Sequence, residues 1–234
     1  MHKSIMLDKS IQNKSKASAA KAALSFIKEG MKVGLGTGST AEFFIRELAR
    51  LCKEGLQIQA IATSKSSHDL AESLHIPLMD PQNTISLDIA VDGADEVDAQ
   101  KNMIKGGGGA LLYEKIVAAM AKEMIVIVDE NKVVELLGKF PLPLEISPYA
   151  YQSTLHKLEQ EGFSPKVRKT SFGTFFTDSG HMTFDLHLNT PIHNPHELDR
   201  TLKAIPGVLE TGLFLGLASK VIVGRPDETV TIIE

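Results

Sequence analysis

The sequence lacks the marks of several common protein classes. It has a single cysteine, Cys52, so no disulfide can close within the chain, and a reducing compartment is expected. It has no excess of positive charge. The formal net charge is -4, so there is no global basic field for nucleic acid, and any phosphate must be held locally. No stretch reaches membrane-spanning length without charge, and the opening M-H-K-S-I-M-L-D-K-S lacks the apolar run of a signal peptide. The expectation is a cytoplasmic protein with no membrane partner. H-E-x-x-H and C-x-x-C are absent, and Pro195 interrupts the pair His193 and His196 as a helical metal site. No metal and no cofactor are expected. There is no internal repeat and no low-complexity segment.

What is present is ordinary in bulk and organised in detail. The 234 residues suffice for one large domain or two small ones, and 43% hydrophobic with 23% charged residues is a globular composition. Alanine-rich Lys16 to Lys28 predicts a helix stopped at Gly30. Lys32 to Leu35 is a short strand leading into G-L-G-T-G-S-T, and Ala41 to Lys53 an amphipathic helix with Phe44, Ile45, Leu48 and Leu51 on one stripe. Strands follow at Leu56 to Ala62, Ile76 to Met79, Ser86 to Val91 and Met124 to Val128, with helices at His68 to Leu74 and Ala110 to Lys122. Strands alternating with helices imply a mostly parallel sheet covered on both faces.

The pattern changes at K-F-P-L-P-L-E-I-S-P, where three prolines in eight residues suit a boundary. Beyond it a helix (Tyr149 to Glu161), strands around Val167 to Thr177 and at Met182 to Leu188, a helix from Pro195 to Ala204 and a strand near Val208 to Glu210 make an α+β unit. G-L-F-L-G, S-K-V-I-V-G and T-V-T-I-I then return to the first sheet. The expected division is 1–140 with 211–234, and 141–210.

Gly34-Leu35-Gly36-Thr37-Gly38-Ser39-Thr40 joins a strand to a helix. Its backbone N–H groups and hydroxyls suit an anion; the alternative is a plain tight turn capped by Ser39 or Thr40. It is neither a P-loop, which needs G-K-[ST], nor a dinucleotide fingerprint, since the next strand ends in Ala62-Thr63 without an acid. T-S-K-S-S (63–67) either adds donors or caps a helix. Asp92 and Asp95 follow an apolar strand, where ligands of open α/β sheets collect, though D-G-A-D is also turn chemistry. Glu96 and Asp98 are expected in solvent.

Lys105 precedes four glycines, Gly106, Gly107, Gly108 and Gly109. Such a run costs about 0.5–1 kcal/mol per residue relative to alanine, which points to close ligand approach and an oxyanion cradle rather than a flexible linker. Glu114, one turn into the next helix, is either an exposed helix acid or a general base. Lys132 follows a strand end and reaches either a substrate oxygen or solvent. Lys16 has weaker support for the same rim. Cys52 reads as a core thiol.

The series G-L-G-T-G-S-T, V-D-G-A-D-E, K-G-G-G-G-A-L-L-Y-E-K, L-G-K-F-P-L-P-L-E and A-I-P-G-V-L-E-T-G-L-F resembles type A ribose-5-phosphate isomerase, in order, from about Lys16 to Ile233. The resemblance implies a discontinuous α/β, Rossmann-like domain, a smaller α+β ferredoxin-like domain at the oligomer interface, and a homo-oligomer, dimer or tetramer. It also implies a metal-free interconversion of ribose 5-phosphate and ribulose 5-phosphate in the pentose phosphate pathway. By position, Thr37, Gly38, Ser39 and Thr40 correspond to the phosphate and substrate loop. Asp92, Gly93, Ala94 and Asp95, and Lys105, Gly106, Gly107 and Gly108, correspond to two further substrate loops. Lys132 corresponds to a substrate-contacting lysine, and Glu114 to the catalytic base. Asp92 is expected to assist ring opening, Asp95 to orient a hydroxyl, and Lys105 with the glycine N–H groups to stabilise an enediolate. A sugar-phosphate sensor and an amino-sugar-phosphate deaminase are the alternatives. The first lacks room for a DNA-binding helix-turn-helix, and the second lacks a histidine in these motifs.

Overall fold

The computed structural model describes residues 2–234, with side chains described from Lys9 onward. The chain forms two compact units. One takes the chain up to Ala94 with Tyr113–Val133 and Leu217–Glu234; the other takes Asp95–Leu112 and Val134–Gly216. The division therefore runs differently from 1–140, 141–210 and 211–234.

The first unit is built on a six-stranded sheet in the order Val230–Ile233, Lys220–Gly224, Ala121–Asp129, Leu87–Asp92, Lys32–Leu35, Gln59–Ala62. All neighbours are parallel except the edge pair Val230–Ile233 and Lys220–Gly224. Alternation assigns the faces. Val33, Leu35, Ile89, Val91, Ile125 and Ile127 bury against Ala19, Ala20, Ala23, Phe44, Ile45 and Leu48. On the other face Ala90 packs with Val117 of the helix Leu111–Met120. A Cβ at Gly34 would come 2.6 Å from Val117 Cγ1, so that glycine lets the helix lie close on the sheet. From Lys32–Leu35 the chain adds its next strand on one side and the following one on the other. In such sheets the carboxyl ends at that reversal form the binding crevice, and here those ends carry Gly36 and Asp92.

Three local expectations change. The first helix runs His2–Ala23, followed by a 3-10 turn at Leu24–Phe26, instead of Lys16 to Lys28. The helix expected to reach Lys122 stops at Met120. Ala121–Glu123 joins the sheet, with Ala121 opposite Leu87 and Glu123 opposite Ile89, so ladder pairing overrides local helix propensity. Ile76 to Met79 contributes only an isolated bridge from Leu78 to Ala60.

The second unit holds a four-stranded antiparallel sheet, Val208–Thr211, Leu142–Ile146, Met182–Leu186, Pro165–Val167, with helices Tyr151–Gln160 and Pro195–Lys203. Strand-helix-strand-strand-helix-strand in this order is the ferredoxin-like arrangement. Leu142, Leu144, Ile146, Leu158, Phe184, Leu186 and Leu202 form its core. Leu213–Phe214, in G-L-F-L-G, pairs with Met103–Ile104 and not with the first sheet; Met103–Ile104 in turn pairs with Glu96–Val97. Glu96 and Asp98 are buried, contrary to expectation. Glu96 accepts the N–H groups of Gly138 (2.7 Å) and Phe140 (2.5 Å), and Asp98 those of Gln100 and Asn102 (2.9 and 2.8 Å). Each buried carboxylate is satisfied by these turn N–H groups.

Candidate active site

The strand Lys32–Leu35 ends in Gly36, whose N–H donates to Val91 O at 2.9 Å. The helix Ser39–Lys53 begins immediately after Gly38, which sits at φ +105° and caps it without any side-chain hydrogen bond. Gly38, and neither Ser39 nor Thr40, is the cap residue, so the helix starts without a side-chain cap. Lys16 extends its Nζ to Ser39 Oγ at 2.9 Å and brings a positive charge to that helix start.

Thr37 points elsewhere. Its Oγ1 lies 2.7 Å from Thr63 Oγ1, 2.8 Å from Ser64 Oγ and 3.2 Å from Ser67 Oγ. Ser67 Oγ donates to Gly36 O at 2.7 Å, and Ser64 Oγ caps Ser67 N–H at 3.1 Å. The T-S-K-S-S segment thus caps the helix Lys65–Ser73 and also braces the glycine-threonine loop from behind.

Asp92, 3% exposed, accepts Thr37 N–H (3.0 Å) and Gly93 N–H (2.7 Å) on Oδ1. A Cβ on Gly36 would fall 2.1 Å from that oxygen, so only glycine lets the carboxylate lie against the loop. The position of a Gly93 Cβ is 3.9 Å from Thr40 Cβ, which sets the V-D-G-A turn beside the helix start. Glu114 is in the first turn of the helix Leu111–Met120 and is 4% exposed, so it is no exposed helix acid. It lines one small space, too tight for a water molecule, with Asp92, Gly34, Gly36 and Thr63. Lys132 closes the turn Glu130–Lys132 at the carboxyl end of Ala121–Asp129, half-buried, and the buried Asp129 caps Asn131 N–H at 3.2 Å.

Within the second unit, Asp95 Oδ2 accepts Gly107 N–H at 2.8 Å. Lys105 is 2% exposed, with Nζ 5.4 Å from the centre of the Phe214 ring. The glycine run is a folded turn and no linker. Gly109 N–H donates to Gly106 O at 3.0 Å, and Gly106 and Gly109 take φ of +102° and +82°. A Cβ on Gly109 would meet Phe175 Cζ at 2.3 Å. Gly107 and Gly108 form the exposed tip.

Some of this escaped the sequence. Arg168 donates to the carbonyls of Gly106 and Gly107, yet V-R-K-T carries no motif. Cys52 is half-buried at the edge of the core, its thiol pushed up by burial. Among the described residues, no three His, Cys, Asp or Glu side chains gather as metal ligands, and no helix is long and apolar enough to cross a membrane.

Residues 59–228 match the family model for ribose 5-phosphate isomerase A (phosphoriboisomerase A). The chain belongs to the ribose-5-phosphate isomerase A family. Its similarity to the ribose-5-phosphate isomerase A of Protochlamydia amoebophila is 44% identity, covering 94% of this chain and 95% of that one. A solved ribose 5-phosphate isomerase A from Methanocaldococcus jannaschii superposes with a TM-score of 0.87 at 41% identity, covering 94% and 97% of the two chains. A D-ribose-5-phosphate isomerase in complex with phospho-erythronic acid superposes at 0.90 with 38% identity, covering 96% and 99%. Ribose-5-phosphate isomerases A interconvert ribose 5-phosphate and ribulose 5-phosphate, and these relatives support an enzyme of that kind over a sensor or a deaminase.

Proposed function

We propose that this chain isomerises D-ribose 5-phosphate and D-ribulose 5-phosphate through an enediolate, in the pentose phosphate pathway, with Glu114 as the base that moves the proton. The observation that carries the reading is the burial of Glu114 and Asp92 on one small space, with the glycine-threonine loop against Asp92. A proton taken from C2 must return to C1 before it exchanges with water, and a carboxylate 4% exposed protects it.

The phosphate dianion takes the backbone N–H groups of Gly38, Ser39 and Thr40, the Ser39 and Thr40 hydroxyls and the Lys16 ammonium, giving binding energy remote from the reacting carbons. Thr37 contributes by fixing the loop: its hydroxyl is turned into the Thr63, Ser64 and Ser67 cluster and its N–H is held by Asp92. Asp92 carries the proton of ring opening. Gly93, Ala94 and Asp95 orient sugar hydroxyls, and Lys132 reaches a substrate oxygen. Lys105, a desolvated cation, stabilises the enediolate with the glycine loop Gly106, Gly107 and Gly108. Because Gly107 N–H is engaged by Asp95, the loop and that carboxylate act together.

We also propose a cytoplasmic homodimer with the second unit at its interface. Exposed Tyr149, Phe172 and Phe176 (88, 99 and 53%) on that unit support the assembly, and the single cysteine supports the compartment. The deciding experiment is ribulose 5-phosphate formation by the purified chain with chelator present. Binding of ribose 5-phosphate without turnover would transfer the reading to a sensor.

A further inference from the structure

One ion pair in the second unit holds the glycine loop without belonging to any motif. Arg168 follows the strand Pro165–Val167. Its guanidinium is gripped by Asp185, with Nε 2.9 Å from Oδ2 and Nη2 2.5 Å from Oδ1. Both side chains are largely buried, at 17% and 19% exposed. The third nitrogen, Nη1, donates to Gly106 O at 2.9 Å and Gly107 O at 3.2 Å. The backbone of Arg168 is pinned as well: its N–H donates to Thr183 O at 2.8 Å, and its carbonyl accepts Phe175 N–H at 3.0 Å. Phe175 lies 5.8 Å from the guanidinium carbon and fills the space that a side chain on Gly109 would need.

Peptide geometry turns these contacts into an orientation. In a trans peptide the carbonyl of one residue and the N–H of the next point in opposite directions, and the chain has no cis bond among the described residues. Carbonyls of Gly106 and Gly107 fixed toward the guanidinium therefore send the N–H groups of Gly107 and Gly108 to the opposite side. Gly107 N–H meets the Asp95 carboxylate there. Glycine is the residue with the most backbone freedom to lose, so an unrestrained run would sample many peptide orientations. A fork fixed by a bidentate carboxylate offers one.

We propose that Arg168, held by Asp185, is a positioning residue for the isomerisation. It sets two peptide planes of the Lys105–Gly109 loop, so that Gly107 N–H stays on the Asp95 carboxylate and Gly108 N–H is presented to the reacting oxygens. This rests on the reading that the loop contacts the sugar, and the experiment separates the two. In the full chain, Arg168→Ala lowers kcat at least about tenfold while KM for ribose 5-phosphate and inhibition by inorganic phosphate stay within about twofold, because the phosphate loop is untouched. Millimolar guanidinium restores part of that kcat, and sodium chloride at equal ionic strength does not. Asp185→Asn gives a smaller loss with the same kcat signature, which keeps the test open if Arg168→Ala folds poorly. Lys105→Ala is the control. If Lys105→Ala loses turnover and Arg168→Ala keeps it within twofold, the Arg168 role alone is overturned. A loss in Arg168→Ala that guanidinium does not rescue, or that raises KM in proportion, also overturns it. Near-normal turnover in Lys105→Ala removes the reading beneath both.

Discussion

At the scale of single residues, burial separates the acids. Glu114 sits near a helix N-terminus, where an exposed glutamate would be commonplace; its desolvation against the space shared with Asp92 sets it apart. Glu114→Gln keeps the shape and removes the base, so kcat is expected to fall at least about a hundredfold while substrate still binds. Turnover assays with a binding measurement check this, and near-normal kcat would take Glu114 out of the role. Ser39→Ala and Thr40→Ala are expected to raise KM with little change in kcat, as their part is phosphate binding; steady-state kinetics on both decide. Motif residues stood out as candidates at this scale because Asp, Lys and Gly cluster after apolar strands, where turns and ligand sites both form. Arg168 was not legible, because an arginine after a strand carries no local signal. Glu96 and Asp98 misled, because burial of a carboxylate depends on N–H partners forty residues away in one case and on a turn in the other.

At the scale of elements, close approach is the governing feature. Gly36 is followed by a braced loop and packed on by Asp92, so Gly36→Ala must displace the carboxylate or the strand end. That substitution is expected to cost about 1–3 kcal/mol of stability and most of the turnover; thermal denaturation with an activity assay reads both. Asp88 ties elements together more weakly. The Lys122 ammonium at 2.8 Å, then the Lys32 N–H at 2.9 Å, hold its carboxyl below the ordinary aspartate value of 3.8. A lowered folded value means stabilisation that is present above the ordinary value and lost as pH falls through the lowered one. Asp88→Asn should therefore melt slightly lower than the parent at neutral pH, with the gap closing in acid. Strand and helix identity was readable from periodicity, whereas helix ends were not. Ala121–Glu123 shows why: its conformation is decided by a neighbouring strand more than thirty residues earlier.

At the scale of the whole molecule, the two fold types were readable from the change in pattern at the prolines, but the course of the chain between units was not. Short strands such as Met103–Ile104 reveal their allegiance only through their partner, Leu213–Phe214. Assembly belongs to this scale too. Phe172→Asp with Phe176→Asp is expected to shift the chain toward monomer in sedimentation velocity, and an unchanged profile would place the subunit contact elsewhere.

The sheet order has a consequence for biosynthesis. Lys220–Gly224 lies between Ala121–Asp129 and Val230–Ile233, so the six-stranded sheet lacks two strands until residues 220–233 have left the ribosome. Ribosome-bound chains stalled after residue 216 should expose that sheet to protease, while chains that have released residues 217–234 should close it within the folding time of a parallel sheet.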